Sequence, residues 1–520
     1  MRTVYRHGVL HARGPVVPTA LVVDDARIAW IGTDDEAPGS ADEVVDLDGA
    51  LVTPGLVDAH AHVLETGLAT VAADLSGAQS LHDALDLLAA TARCGGVVLA
   101  YGWDESRWPE QRPPRADEVE RAVGGAPAYV ARAGLGSAVV SSALADVAGC
   151  RELPGWVQGL VVGPAHARAR TALRVDDGRR DELLRSGLSA FASRGVVSVH
   201  EFSEPELDTR AGLARLLAMT SEAAPGLLEV VGYRTELCED AGQARALAEE
   251  VPGLTGVAAG SLDGPLGSRA AALRSPYTDA EQASRGELLL TAEQVANHVG
   301  AATRAGLQAV LGVVGDRGMA EALLGVQAAA EVEGVDRIHA AAHRLEGAEM
   351  IDTPALARIL LLGLTVGCRP VHDAAWGGPD GAYARLLGPV RAANLNPFAD
   401  LVGAGVPIAF GSGSPATPID PWAAIRAAVH HHEPTQRLSM AAAFRAHTVA
   451  GRRAGRSPET GALRVGAPAT FVVWRDVVTR PSEHTGGVPE LLLPDLSGGR
   501  SLPVCVRTVR DGVVLYDETA

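Results

Sequence analysis

His60 and His62 close the run Thr53-Pro54-Gly55-Leu56-Val57-Asp58-Ala59-His60-Ala61-His62. On a β-strand that two-residue spacing turns both imidazoles to one face. At the C-terminal mouth of a barrel strand, two such nitrogens can share one metal ion. A bare His-x-His is often incidental; here it follows Pro-Gly-Leu-Val-Asp at the junction of a strand-rich segment and a helix–strand repeat, which gives it weight. The five cysteines, Cys94, Cys150, Cys238, Cys368 and Cys505, form no Cys-x-x-Cys pair, so neither a zinc knuckle nor a disulfide framework is expected. His430-His431-His432 follows a helix, precedes Glu433-Pro434, and reads as a solvated helix end.

The elements that would position the two histidines follow from periodicity. Strands are expected at Ala20 to Val23 and Arg27 to Ile31 around an Asp24-Asp25 turn, and at Val44 to Leu51. The other end of the chain is similar: Ala469 to Trp474, Val504 to Val509, an Asp511-Gly512 turn, then Val513 to Tyr516. Strand-rich termini around a different middle predict one β domain built from both ends. In the middle, Asp181 to Ala192 places Leu184, Leu188 and Phe191 on one helical face, and Gly195 precedes the strand Val196 to His200. Thr291 with Gln294 forms a capping box for a helix stopped at Gly306, before the strand Leu307 to Val314. Thr353-Pro354 opens another helix ahead of Leu364 to Cys368, and Asn396-Pro397 a fourth ahead of Val406 to Phe410. Helix, glycine stop and short buried strand, repeated, predict a parallel α/β sheet. Roughly 400 residues of this between two β ends favour a closed TIM-like (β/α)8 barrel. A doubly wound sheet is the alternative, and no Gly-x-Gly-x-x-Gly loop supports it.

Further segments then line up in order: Gly195-Val196-Val197-Ser198-Val199-His200-Glu201, Gly260 to Arg269, Gly315-Asp316, His343-Arg344-Leu345-Glu346, Gly411-Ser412-Gly413-Ser414-Pro415 and Asp420-Pro421-Trp422. With the His-x-His run, they make the chain resemble the amidohydrolase superfamily, in its amidohydrolase 3 branch of YtcJ-like and N-substituted-formamide-deformylase-like proteins. The resemblance covers nearly the whole chain. It implies a composite β-sandwich from residues 1–53 and 455–520, a barrel over 54–454, and an inserted subdomain at about 75–180. It also implies hydrolysis of C–N bonds by a metal-activated water, with a strand-eight Asp taking the proton.

Matched residue by residue, the chain keeps His60 and His62 and then departs. Where relatives read His-x-Ile-Gly-Asp, this chain has Gly312 in the ligand position, followed by Gly315-Asp316. Where they read Arg-Leu-Glu-His it has Gly347, and where they read Gly-Ser-Asp it has Gly413 in place of the catalytic Asp. Near the insertion Gly136 replaces a family His. All 45 basic side chains of the Lys and Arg count are Arg, so a carboxylated Lys bridging two metals is ruled out. A catalytic zinc needs three protein ligands and an open position. Loss of the general base alone removes about 10²–10⁴-fold of rate. The expected cofactor is therefore none, or a weakly bound divalent, zinc-type metal on His60 and His62.

Several residues remain as pocket candidates. His200 and Glu201 end a barrel strand as substitute ligands or retained scaffold; Asp263 and Arg269 would touch substrate or brace a loop; Asp316 follows the emptied position 312. In Cys368-Arg369-Pro370-Val371-His372-Asp373, relatives tend to carry Gln before the Pro and Phe at the His. Arg369 would place a permanent cation near the former metal, repelling metal and attracting an anion, or would face the surface. Trp376 would line or cover the mouth. The net charge of −18 and absence of basic runs exclude nucleic acid and anionic membranes as partners. No stretch reaches the ~18 apolar residues of a membrane span, and the N-terminus shows no apolar signal core, so a cytoplasmic location is expected; the family resemblance implies an oligomer. Three functions follow: a non-catalytic homologue supporting an active paralogous subunit, a rewired hydrolase borrowing His200, Glu201 or His372, or a binder of a small-molecule ligand in the emptied pocket.

Overall fold

Strand β1 (Leu56–Ala61) carries His60 into an eight-stranded parallel sheet, shown by a computed structural model of the chain. The structure describes residues 1–13, 16–91, 93–94, 96–221, 226–279, 283–458, 461–481 and 492–518. The sheet continues through β2 (Val196–Ser203), β3 (Glu229–Thr235), β4 (Leu254–Ser261), β5 (Gln308–Val313), β6 (Arg344–Gly347), β7 (Thr365–Cys368) and β8 (Ile408–Phe410). Each strand pairs in parallel with the next. The seam between the last and first strands is joined beyond the ladder: the Gly413 N–H donates to the His60 carbonyl at 2.7 Å and the His62 N–H to the Ser414 carbonyl at 3.0 Å. The result is a nearly closed TIM-like barrel. Short strands of Val, Ile, Leu and Ala are buried between the barrel interior and the surrounding helices, as parallel strands require.

The helices begin and end where their local chemistry dictates. Thr291 and Gln294 form the expected reciprocal cap on Ala292–Ala305, which Gly306 closes. Asp352 caps Thr353–Leu361 with proline in its first turn. Asn396 does not cap the next helix, which runs Phe398–Ala404; its side chain donates instead to the Asp373 carboxylate at 2.9 Å.

Smaller sheets flank the barrel. Arg27–Gly32, Ala20–Asp24, Arg2–Arg6 and Glu43–Asp46 form one. A second runs Val9–Leu10, Leu51–Pro54, Phe471–Arg475, Val504–Arg510 and Val513–Asp517, so strands from both chain ends pair directly, Val52 opposite Val473. Tyr5, Val23, Val52, Phe471 and Val509 fill the space between them. The single strand expected from Val44 to Leu51 is two strands in different sheets. Asp48 and Gly49 both take positive φ, and the turn they make carries the chain from one sheet to the other.

Between β1 and β2 lies a mixed seven-stranded sheet with its own core around Trp103 and Trp108. Its strands include Val97–Trp103, Ala128–Arg132 and Ser137–Val140, which bring Arg132 and Gly136 to the barrel mouth. Cys150, Cys238, Cys368 and Cys505 are buried free thiols; the side chain of Cys94 lies outside the described residues. Among the described residues, no helix is long and apolar enough to cross a membrane.

Candidate functional site

His60 points into the barrel from the end of β1, its ring stacked on Phe202 of β2. Its Nδ1–H donates to Glu346 Oε2 at 2.8 Å. Glu346 is held in turn by Arg344, whose Nε and Nη2 both donate to the other carboxylate oxygen, at 2.9 and 2.5 Å. Arg344 has no exposed side-chain surface; it also donates to His200 Nδ1 at 2.8 Å, to Tyr233 Oη at 3.2 Å and to the Ala59 carbonyl at 2.7 Å. This satisfied network fills the barrel below the mouth. Burial pushes the His60 imidazole down to about 4, with Glu346 opposing that and His62 and Arg369 adding to it. His60 is therefore neutral, and the Nδ1 contact to Glu346 leaves Nε2 as its free lone pair. His62 donates its Nδ1–H to the Phe202 carbonyl at 2.9 Å. The two rings stand nearly perpendicular with centroids 5.6 Å apart, the pair expected from the sequence to keep residual metal binding.

No third ligand joins them. Among the described residues, the only three His, Cys, Asp or Glu side chains whose ligand atoms gather within 4.8 Å are Asp373, His431 and His432. The proposed substitutes lie elsewhere. His200 gives its Nδ1 lone pair to Arg344, and its Nε2 side faces Gly455. Glu201, next to it on β2, points to the opposite face and accepts the Val63 N–H at 2.5 Å. Burial raises its carboxyl to about 8. A catalytic metal does not fit the residues present at His60 and His62.

The glycines expected to stand at lost ligand positions are not simple vacancies. Gly347 has φ +85° and Gly413 φ +63°, the left-handed region that disfavours side chains. A Cβ at Gly347 would lie 3.4 Å from Arg369 Nη2, and one at Gly413 would lie 3.2 Å from Arg369 Cδ and 3.5 Å from Nη1. The Arg369 side chain thus lies across both positions. At Gly136 a Cβ would meet Pro265 Cγ at 2.8 Å. Gly312 carries no left-handed constraint, and a Cβ there would lie 3.2 Å from the Gly260 carbonyl and 3.3 Å from Ser261.

Arg369, His372, Trp376 and Gly136 line one cavity of about 570 Å³ at the mouth, together with Arg269 and Glu349. Burial raises the Glu349 carboxyl to about 7 against the pull of Arg369. Of the other candidates, Asp263 braces loops: its carboxylate accepts the N–H groups of Ala272, Val314 and Gly315 at 2.8–2.9 Å. Asp316 opens the helix Asp316–Glu333, accepts the Arg274 N–H at 2.8 Å and is not among the cavity residues. Asp373 turns away from the cavity toward the histidine run, 3.0 Å from His432 Nδ1 and 3.2 Å from His431 Nε2.

That run was expected to be a solvated helix end. The helix does stop at Val429, but His431 is only 1% exposed, because the chain turns inward to meet Asp373 and to pack on Phe398. Asp373, His431 and His432 form a partial, three-ligand cluster capable in principle of coordinating a metal ion. The clue in the sequence was the triplet itself; its partner Asp373 comes 59 residues before His432 and nothing local announces it.

Comparison with known proteins adds the following. The profile described as "Amidohydrolase family" matches residues 43–516. Protein LONG AFTER FAR-RED 3 of Arabidopsis thaliana is 26% identical over 470 residues, covering 82% of this chain and 78% of that protein. N-substituted formamide deformylase of Arthrobacter pascens is 27% identical over 237 residues, 40% of this chain and 44% of that protein. Among solved structures, an uncharacterized metal-dependent hydrolase from Pyrococcus furiosus aligns with a TM-score of 0.70 and 22% identity, over 91% of this chain and 98% of the other, a likeness of fold.

Proposed function

The chain belongs to the amidohydrolase family, and from that premise we propose that it is a non-catalytic member, acting through what its barrel mouth binds. The observation that carries this reading is the Arg369 side chain lying against Gly347 and Gly413, where relatives carry a ligand and the proton acceptor. A guanidinium at that point opposes a divalent cation electrostatically and supplies no lone pair to hold one. A zinc-type ion resting on His60 and His62 alone is weakly held and lost on dialysis. The alternative of a rewired hydrolase lacks a third ligand, since His200 and Glu201 are engaged elsewhere. Between a supporting subunit and a small-molecule binder, the preserved mouth cavity favours the binder.

The test is metal analysis and hydrolysis together. Purified protein is loaded with zinc, dialysed, and assayed against N-substituted formamides, the substrate class in the name of the Arthrobacter relative. The expected outcome is no retained metal that His60→Ala removes, and no turnover sensitive to a chelator. About one equivalent of metal lost with His60→Ala, alongside chelator-sensitive hydrolysis, overturns the reading.

A further inference from the structure

We propose that the barrel-mouth cavity is a binding site for a small monocarboxylate bearing an N–H donor, with Arg369 as the group that grips the carboxylate. The inference deepens the non-catalytic reading by naming the ligand class of the same site.

The first support is an unmatched charge. Four arginines line the cavity. Arg132 pairs with Glu105 at 2.8 Å, Arg269 with Asp279, and Arg385 donates to the Asp380 carbonyl. Arg369, half-buried, has no hydrogen bond or ion pair on its guanidinium among the described residues. A guanidinium drawn partly out of water with nothing on its five donors is unfavourable until an anion meets it, and its planar fork matches a carboxylate.

The second support is a pair of orphaned polar atoms on residues that line the same cavity. Glu349 Oε2 and His372 Nε2 have no partner, and their residues are only 6% and 7% exposed. Such atoms in a buried wall call for a hydrogen-bonding ligand. A carboxyl oxygen and a ring nitrogen suit an amide or amine N–H. Trp376 and Tyr383 supply the apolar wall for the rest of the molecule. The cavity of about 570 Å³ is the size of a small-ligand site. A single charge is favoured over phosphate, because Arg369 is the one cavity arginine without a hydrogen-bonded or ion-paired partner among the described residues, and Glu349 lines the same cavity.

Trp103 and Trp376 in the wall give a direct fluorescence readout. The probes are N-acetylphenylalanine and its uncharged amide, titrated into protein stripped with a chelator and checked by calorimetry. The acid is expected to bind saturably and at least about tenfold more tightly than the amide. Arg369→Gln is expected to weaken the acid at least about tenfold, Arg369→Lys by less, and Arg385→Gln by under about twofold. Equal affinity for acid and amide, no saturable binding of the acid, or unchanged affinity in Arg369→Gln overturns the proposal. Should Arg369→Gln fail to fold, the acid–amide ratio and the Lys variant decide it. Because the protein is metal-free throughout, failure here leaves the non-catalytic reading standing; chelator-sensitive turnover would sink that reading without altering the acid–amide ratio.

Discussion

Gly347 and Gly312 are both glycines at positions where the family resemblance implies histidine, yet a side chain costs different amounts at the two. At Gly347 the backbone is left-handed and Arg369 is close; at Gly312 the φ is ordinary and the neighbours need give only slightly. Gly347→His is expected to destabilise the protein by about 1–3 kcal/mol, and Gly312→His by under about 1 kcal/mol, read from urea midpoints. Equal losses would show that the local backbone is not the reason. Neither variant is expected to retain zinc. Glu201 offers a pH test of the same kind. Its carboxyl is raised by burial to about 8 from an ordinary value of 4.5, so stability is present below the lower value and lost as pH rises through the upper. Glu201→Gln removes that loss while keeping an oxygen for the Val63 N–H. The variant is expected to gain on the order of 2 kcal/mol over wild type between pH 5 and pH 8; thermal melts at the two values check it, and a constant difference would refute it. The incomplete metal site was legible in the sequence, because motif positions are local. It left the position of Arg369 open, since three strand ends must meet before that side chain has an address. The burial of His431 was missed for the same reason.

At the scale of elements, helices Val63–Thr70 and Asp177–Ala192 approach closely through two glycines. A Cβ on Gly67 would run into the Leu183 carbonyl, and one on Gly187 would sit 2.5 Å from the Val63 carbonyl. The first helix leaves directly from His62, so this contact sets the angle at which the histidine pair meets the mouth. Gly67→Ala is expected to cost about 1–3 kcal/mol, seen as a lower melting temperature, while the same change at exposed Gly39, with open space around it, moves it little. Elements were the most legible level. The cap at Thr291, the stop at Gly306 and the strands at both termini were all written in local residue types. The split of Val44–Leu51 was not, because a continuous run of extended residues hides the point at which a chain changes sheets.

For the whole molecule, the pairing of Leu51–Pro54 with Phe471–Arg475 ties the two ends into one sheet beside the barrel. Trp474 fixes the join, its Nε1 donating to Thr53 Oγ1 at 2.8 Å. Removing residues 504–520 would strip the neighbour of Phe471–Arg475 and expose Val472 and Trp474, so the shortened chain is expected to aggregate on expression rather than yield a folded barrel. Recovery of a cooperatively melting, soluble product would contradict this. The two-ended architecture was visible in the strand-rich runs and turns at both termini.

The side chain that spans Gly347 and Gly413 also fixes an order of operations for anyone wishing to rebuild a hydrolase on this scaffold. A donor restored at position 347 or 413 would be pressed against an incumbent cation, so substitutions there would look like failures. The productive route starts by evicting Arg369 and only afterwards repopulates the rim.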